Sequence, residues 1–237
     1  MIKPDALKPL ALDLCCGKGG WTCGLLAAGW EVIGVDIERW DGYPAGAEFM
    51  GMDVRVLAQL DILRKFLIRI KALGYVVMLV VASPPCQEFS YRSFPFKRCQ
   101  ELAKNVPPDT SIWEACVRIA RECNAPLVLE NVRGAQKYMG KATAHYGSFY
   151  LWGEVPALLP IGWPTKGFTN SKGNNDWRGN CPRPSLRVFG TARTKGIDVI
   201  SSQSVSRKEW SARAAMIPFE LANWIGTCFY PHTEVMA

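Results

Sequence analysis

The sequence predicts an α/β chain, a mostly parallel sheet covered by helices. Three observations carry this. Up to residue 132, apolar runs of strand length alternate with segments of helical spacing. A glycine-rich turn joins the first run to the first helix. Polar clusters sit where three of the runs end, which is where parallel sheets place their ligands.

The elements follow in order. Leu10 to Leu14 is a short apolar strand that breaks at Cys15-Cys16-Gly17-Lys18-Gly19-Gly20. A helix over Trp21 to Ala28 follows and stops at Gly29. Glu31 to Val35 is the second strand and ends at Asp36, completing a strand–turn–helix–strand–acid unit. Residues 42–51 are expected to be loop. Val54 to Leu73 carries apolar residues at 56, 57, 60, 63, 66, 67, 70 and 73, the spacing of one helix, closed by Gly74. Tyr75 to Ala82 is a strand buried on both faces and ended by Ser83-Pro84-Pro85. Ser111 to Cys123 puts Ile112, Cys116, Ile119 and Cys123 on one helical face. Leu127 to Leu129 is a further strand, running into Glu130-Asn131-Val132. After Gly134 the texture changes. Residues 161–196 are rich in Gly, Pro, Asn, Trp and Arg without periodicity, and residues 208–226 return to a helical pattern.

Composition bounds the function. The chain has 237 residues, 49% hydrophobic and 21% charged, which excludes a mainly disordered protein. No apolar run reaches the roughly 18 residues of a membrane span, and no signal-peptide core is read at the start, so a cytoplasmic protein is expected. The nine cysteines show no C-x-x-C spacing, so neither a structural zinc site nor any other metal is expected. Reduced thiols are the reading for eight of them. The net charge of +7 permits an anionic partner, and its surplus is uneven: residues 154–208 hold nine Lys/Arg against three Asp/Glu.

The glycine loop at 15–20 can admit close backbone approach of a ligand, and Asp36 can accept from two ribose hydroxyls. The loop is no clean dinucleotide or phosphate-loop motif, so a nucleoside cofactor without a pyrophosphate fits better; a purely structural turn is the alternative. Asp53 can accept from an adenine amine or cap the helix at 54. Cys86, after two prolines at the mouth of a buried strand, is a candidate nucleophile or a buried structural thiol. Glu130 ends another buried strand. Desolvation there would keep it able to donate a proton, unless helix N-termini or Arg133 satisfy it as a carboxylate.

Three segments together are diagnostic. Asp13-Leu-Cys-Cys-Gly-Lys-Gly-Gly20, Ser83-Pro-Pro-Cys-Gln-Glu-Phe-Ser90 and Glu130-Asn-Val132 resemble, in order and spacing, the signature motifs of the DNA cytosine-C5 methyltransferase family. The resemblance covers roughly residues 8–135. Ile217-Pro-Phe-Glu-Leu-Ala-Asn-Trp-Ile-Gly226 is similar to that family's last helix, which packs back on the cofactor domain.

The resemblance implies a Rossmann-like, class I S-adenosylmethionine-dependent methyltransferase fold with a small irregular target-recognition lobe. It divides the chain into a cofactor-binding and catalytic domain (1–135), a small basic lobe (136–206) and a C-terminal helix (207–237). It implies that Cys86 attacks cytosine C6, that Glu130 activates the ring at N3, and that Asn131 holds the Cys86 loop. Asp13, Cys15, Cys16, Gly17, Gly19 and Gly20 would cradle the methionine part of S-adenosylmethionine. Asp36 would hold the ribose, Ile37 the adenine face and Asp53 the adenine amine, with Pro85 between cofactor and base. DNA is the implied partner, met by a monomer and touched by Gln87, Ser90, Arg133, Lys141, His145, Arg178, Arg183, Arg187 and Arg193. For the basic stretch at 161–196 a solvated loop is the alternative.

The family's Gln-x-Arg-x-Arg motif is missing; residues 140–153 occupy its place, where Lys141 or His145 is the expected substitute. Its Gly-Asn before the last helix is missing too, with Ala214-Ala215 nearby. The lobe is short, as in compact, stand-alone, phage-encoded members, which puts the expected setting in a bacterial or phage-infected cell. Rival readings are an RNA (tRNA) cytosine-C5 methyltransferase, a non-catalytic nucleic-acid binder and a small-molecule methyltransferase. The intact Cys86, Glu130 and Asn131 weigh against the second, and the Pro-Cys-Gln turn against the third.

Overall fold

The structure, a computed structural model, describes residues 7–92, 101, 104–158, 212 and 215–231, with the backbone alone at 91 and 92. The strands are β1 (Lys8–Leu14), β2 (Glu31–Asp36), β3 (Glu48–Gly51), β4 (Tyr75–Ala82), β5 (Leu127–Asn131), β6 (Ala144–Tyr146) and β7 (Phe149–Gly153). The helices are α1 (Gly20–Ala27), α2 (Val54–Leu57), α3 (Leu60–Ala72), α4 (Gln87–Arg92), α5 (Ser111–Cys123), α6 (Gln136–Met139) and α7 (Phe219–Phe229).

All seven strands form one sheet in the order β3-β2-β1-β4-β5-β7-β6. Neighbours are parallel from β3 to β5, and β7 runs antiparallel to both β5 and β6. This is the Rossmann-like fold of S-adenosylmethionine-dependent methyltransferases, as read from the sequence. The order reverses at β1, so the carboxyl ends of β1, β2, β4 and β5 open along one edge.

Side-chain alternation along the strands builds two cores. Leu10, Leu12 and Leu14 of β1 face one side, with Leu57 of α2, Leu63, Phe66 and Ile70 of α3, and Cys116 and Ile119 of α5. Ala11 of β1 faces the other, with Trp21 and Leu25 of α1 and Leu221, Ala222 and Ile225 of α7. Helix α7 lies directly on α1. A Cβ on Gly24 would collide with the Cβ of Ala222, so only glycine permits this approach. Asn223 Nδ2 donates to the Gly24 carbonyl at 3.2 Å, and Trp30 Nε1 to the Gly226 carbonyl at 2.8 Å.

The structure departs from the sequence reading in four places. The loop expected at 42–51 contains β3, an edge strand of four residues whose burial is only partial. The single helix expected over 54–73 is two, α2 and α3. Their buried positions are 54, 57, 63, 66 and 70, while Val56, Leu60 and Leu73 lie exposed. Residues 144–153, assigned to the lobe, form β6 and β7 and belong to the sheet. Within the helical stretch expected over 208–226, residues 215–218 are not helical and α7 starts at Phe219, while 208–211, 213 and 214 lie outside the described residues. No helix among the described residues is long and apolar enough to cross a membrane.

Candidate active site

The first cluster lies where β1 and β2 end. The chain leaves β1 through Cys15, Gly17 and Gly19, all with positive φ (56°, 50° and 79°). Gly19 needs its freedom twice over, since a Cβ there would also sit 2.5 Å from Pro44 Cδ. The loop is pinned to β2 by Cys16 N donating to Val35 O (3.2 Å) and Gly17 N donating to Asp36 Oδ2 (2.9 Å). Gly20 completes the turn as the first residue of α1.

Asp13 points away from solvent, beneath α1. It is 0% exposed, and its Oδ2 accepts from Thr22 N (3.1 Å) and Thr22 Oγ1 (2.6 Å). Its Oδ1 is buried with no partner. Burial pushes its carboxyl up to about 7, against the pull of the Thr22 bonds. Asp13 therefore ties β1 to α1 and shapes the loop from below. Cys16, behind the loop, is raised by burial, and Cys15 is raised first by a hydrogen bond with Cys116 and then by burial.

A nucleoside cofactor fits the front of this loop. A Cβ at Gly17 would meet nothing within 4 Å, so the backbone there borders open space. Asp36 is half-buried beside it, and Ile37, one residue on, is 77% exposed, an apolar plate suited to a purine face. Asp53 is engaged elsewhere. It caps α2 by accepting from Arg55 N (2.8 Å), and Arg55 Nη2 holds its Oδ2 at 2.6 Å. The helix cap, one of the two sequence readings, is what its side chain does here. That hydrogen bond to Arg55 leads in lowering its carboxyl below the usual range.

The second cluster joins the ends of β4 and β5. Asn131, 1% exposed, donates from Nδ2 to the Pro84 carbonyl at 2.9 Å, and its Oδ1 accepts from Val132 N at 2.9 Å. One amide thus ties the two strand ends and fixes the turn that presents Cys86. The Cys86 carbonyl accepts from Phe89 N and Ser90 N and starts α4, with Gln87 exposed on its first turn. Pro85 is exposed between them.

Glu130 is 9% exposed. Burial pushes its carboxyl up to about 8, opposed by a hydrogen bond with Ser83, so the group holds its proton at neutral pH. Burial and then the nearby Glu130 charge raise the Cys86 thiol, while a hydrogen bond from Ser90 lowers it. An acid and a thiol within electrostatic reach, the acid neutral and the thiol hydrogen-bonded, can together add a sulfur nucleophile to a ring and protonate it.

Of the other expected residues, Arg133 and Lys141 are exposed beyond β5 and α6. His145 is exposed on β6 and stacks on Tyr150 with ring centroids 5.0 Å apart; Tyr150 pairs in register with Asn131. Arg178, Arg183, Arg187 and Arg193 lie outside the described residues. Sequence reasoning assigned no role to Trp21, Thr22 or Ser83. Trp21 Nε1 donates to Ser83 Oγ at 2.9 Å. The signal available was position, since Ser83 directly follows β4 and Trp21 stands just after the glycine turn. Among the described residues, no cluster of His, Cys, Asp and Glu could hold a metal ion, and every described cysteine is free.

A model of the FtsJ-like methyltransferase family matches residues 2–105. No curated protein matches the chain. Among solved structures, it is similar to a protein of E. coli described as a DNA modification methyltransferase encoded within a prophage. The identity is 21%, over 56% of this chain and 35% of that one, with a TM-score of 0.40. It is also similar to a mutant of Spodoptera frugiperda DNMT2 (19% identity, 55% and 37% covered, TM-score 0.34). The S. pombe Dnmt2 methyltransferase gives 20% identity, 55% and 36% covered, and a TM-score of 0.33. The chain spans little more than a third of the length of these structures.

Proposed function

We propose that this chain is a DNA cytosine-C5 methyltransferase. The observation that carries the reading is the Asn131–Pro84 hydrogen bond, which joins the strand end bearing Cys86 to the strand end bearing the buried Glu130. The match to an FtsJ-like methyltransferase model over residues 2–105 supports the class of reaction.

The chemistry follows from the groups. Cys86, as thiolate, adds to C6 of a flipped-out cytosine, with Ser90 stabilising its charge. Glu130 gives its proton to N3, so the ring takes the electron pair and becomes enamine-like at C5. S-adenosylmethionine, when bound, supplies an electrophilic methyl group to that carbon. Loss of the C5 proton to a water molecule then expels Cys86 as thiolate, and N3 returns its proton to Glu130, leaving neutral 5-methylcytosine. Gly17, Asp36 and Ile37 are the residues we assign to holding the cofactor. Extrusion of the base costs a few kcal/mol, offset by phosphate contacts from exposed cations such as Arg133 and Lys141.

The test is covalent trapping. Duplex DNA containing 5-fluorocytosine lacks the proton that must leave, so the adduct accumulates, and peptide mass spectrometry is expected to find it on Cys86. An adduct on another residue, or turnover with none, refutes the mechanism. Trapping on a fluorinated tRNA in place of duplex DNA would reassign the substrate and keep the chemistry.

A further inference from the structure

Behind the glycine turn runs a buried hydrogen-bonded chain that the proposed chemistry does not use. Thr22 Oγ1 donates to Asp13 Oδ2 at 2.6 Å, and Tyr43 Oη lies 3.0 Å from the same Thr22 oxygen. Thr22 has one hydroxyl proton and gives it to Asp13, so Tyr43 is the donor of the second bond. All three side chains are buried, Asp13 and Thr22 completely. Tyr43 reaches this place because two glycines make room for it. A Cβ on Gly34 of β2 would collide with the phenol oxygen, and one on Gly19 would stand 3.2 Å from Tyr43 Cε2. The ring therefore fills the gap between β2 and the turn. Its far side meets Phe49 of β3 edge-on, with centroids 5.3 Å apart. The segment that carries it is fastened to the turn once more, by Lys18 Nζ lying 4.8 Å from the Trp40 ring centroid.

We propose that Tyr43 is a positioning residue for the cofactor: a wedge behind the glycine turn, tied through Thr22 to Asp13, that sets the turn where it receives the amino-acid end of S-adenosylmethionine. The proposal rests on the reading of Gly17, Asp36 and Ile37 as the cofactor's seat. Asp36 holds the front of the turn by accepting from Gly17 N at 2.9 Å, and Tyr43 holds its back. The two halves of the ligand then depend on Tyr43 unequally. The nucleoside half meets Asp36 and Ile37 at the end of β2, whereas the amino-acid half meets the turn itself.

The test compares two probes on the full chain by calorimetry. S-adenosylhomocysteine spans both halves; adenosine lacks the amino-acid end. Y43F removes the donor and keeps the ring. It should weaken S-adenosylhomocysteine by roughly three- to tenfold and leave adenosine unchanged. T22V should weaken it at least as much, while T22S keeps the hydroxyl and should restore affinity. Y43F/T22V should lose no more than T22V alone, because both cut one chain. Without ligand, amide exchange in residues 16–20 should quicken in Y43F. An unchanged S-adenosylhomocysteine affinity in Y43F, an equal loss for both probes, or unchanged exchange overturns the wedge. A wild type that binds S-adenosylhomocysteine but methylates no cytosine overturns the proposed function and leaves the wedge to the two-probe comparison. A wild type that binds neither probe overturns both.

Discussion

The two clusters at the sheet edge use acids in opposite ways. At the ends of β1 and β2, Asp13, Asp36 and Asp53 accept from the chain itself, from Thr22, Gly17 and Arg55 respectively, with Asp13 Oδ1 left buried and unpartnered. They build a shape. At the ends of β4 and β5, burial raises both Glu130 and the Cys86 thiol, and the Glu130 charge raises the thiol further. They are kept reactive. The difference teaches that one strand-end topology can yield a mould on one side and a reagent on the other, depending on whether its polar groups meet the chain or one another.

The sharpest way to break the contrast is at the reagent side. C86S should reduce methyl transfer by at least about a thousandfold while cofactor binding, measured by calorimetry, is unchanged. E130Q should lower transfer by roughly a hundred- to ten-thousandfold in single-turnover assays, because it removes a general acid. The same variant removes the charge that raises Cys86, so iodoacetamide should alkylate that thiol faster than in the wild type at pH 8.5.

On the mould side, G19V should act on affinity. It forces a branched side chain onto a φ of 79° and against Pro44, which costs on the order of 1–3 kcal/mol and displaces the loop. Cofactor affinity should fall by tenfold or more, with Cys86 alkylation unaffected.

A pH series separates the sides further. Asp13 and Glu130 both have folded values, about 7 and about 8, above their ordinary ones of 3.8 and 4.5. A raised acid favours the fold in its neutral form. That stabilisation is complete below about pH 4 and is lost as pH rises through 7 and 8. Thermal melts should therefore show this part of the stability falling from pH 5 to pH 8.5. E130Q should flatten the upper part of the decline, by about 2–4 °C in Tm for each kcal/mol relieved. The smallest effect belongs to D53A, which loses a helix cap worth about 1 kcal/mol in denaturant melts. A large loss of cofactor affinity in D53A would mean that Asp53 leaves Arg55 to hold the ligand.

Much of this was legible in the sequence, for physical reasons. β4 is a continuous apolar run ended by two prolines, and a strand buried on both faces has few other readings. The glycine turn and Asp36 announce themselves because positive φ and a strand-end acid leave residue-type signatures. β3, β6 and β7 were not legible, because a four-residue edge strand and a short hairpin carry too few buried positions to set a period. The break between α2 and α3 was hidden because both helices keep the same apolar spacing. Within the site, Cys86, Glu130 and Asn131 stood out by motif. The Trp21–Ser83 hydrogen bond did not, because it joins residues 62 apart through a contact that only the folded sheet creates.

The packing of α7 on α1 has a consequence for timing. Asn223 and Gly24 are separated by 199 residues, yet the glycine face of the first helix is shaped to receive the last one. During synthesis the glycine turn and its helix emerge early and must wait for their cover, with an apolar face open meanwhile. A chain stalled before residue 217 would hold Cys86, Glu130 and Asn131 and still lack the surface that sets α1, and with it Trp21, in place. Helix α7 thus completes the seat of α1: the turn that precedes α1 is made long before the surface that holds it.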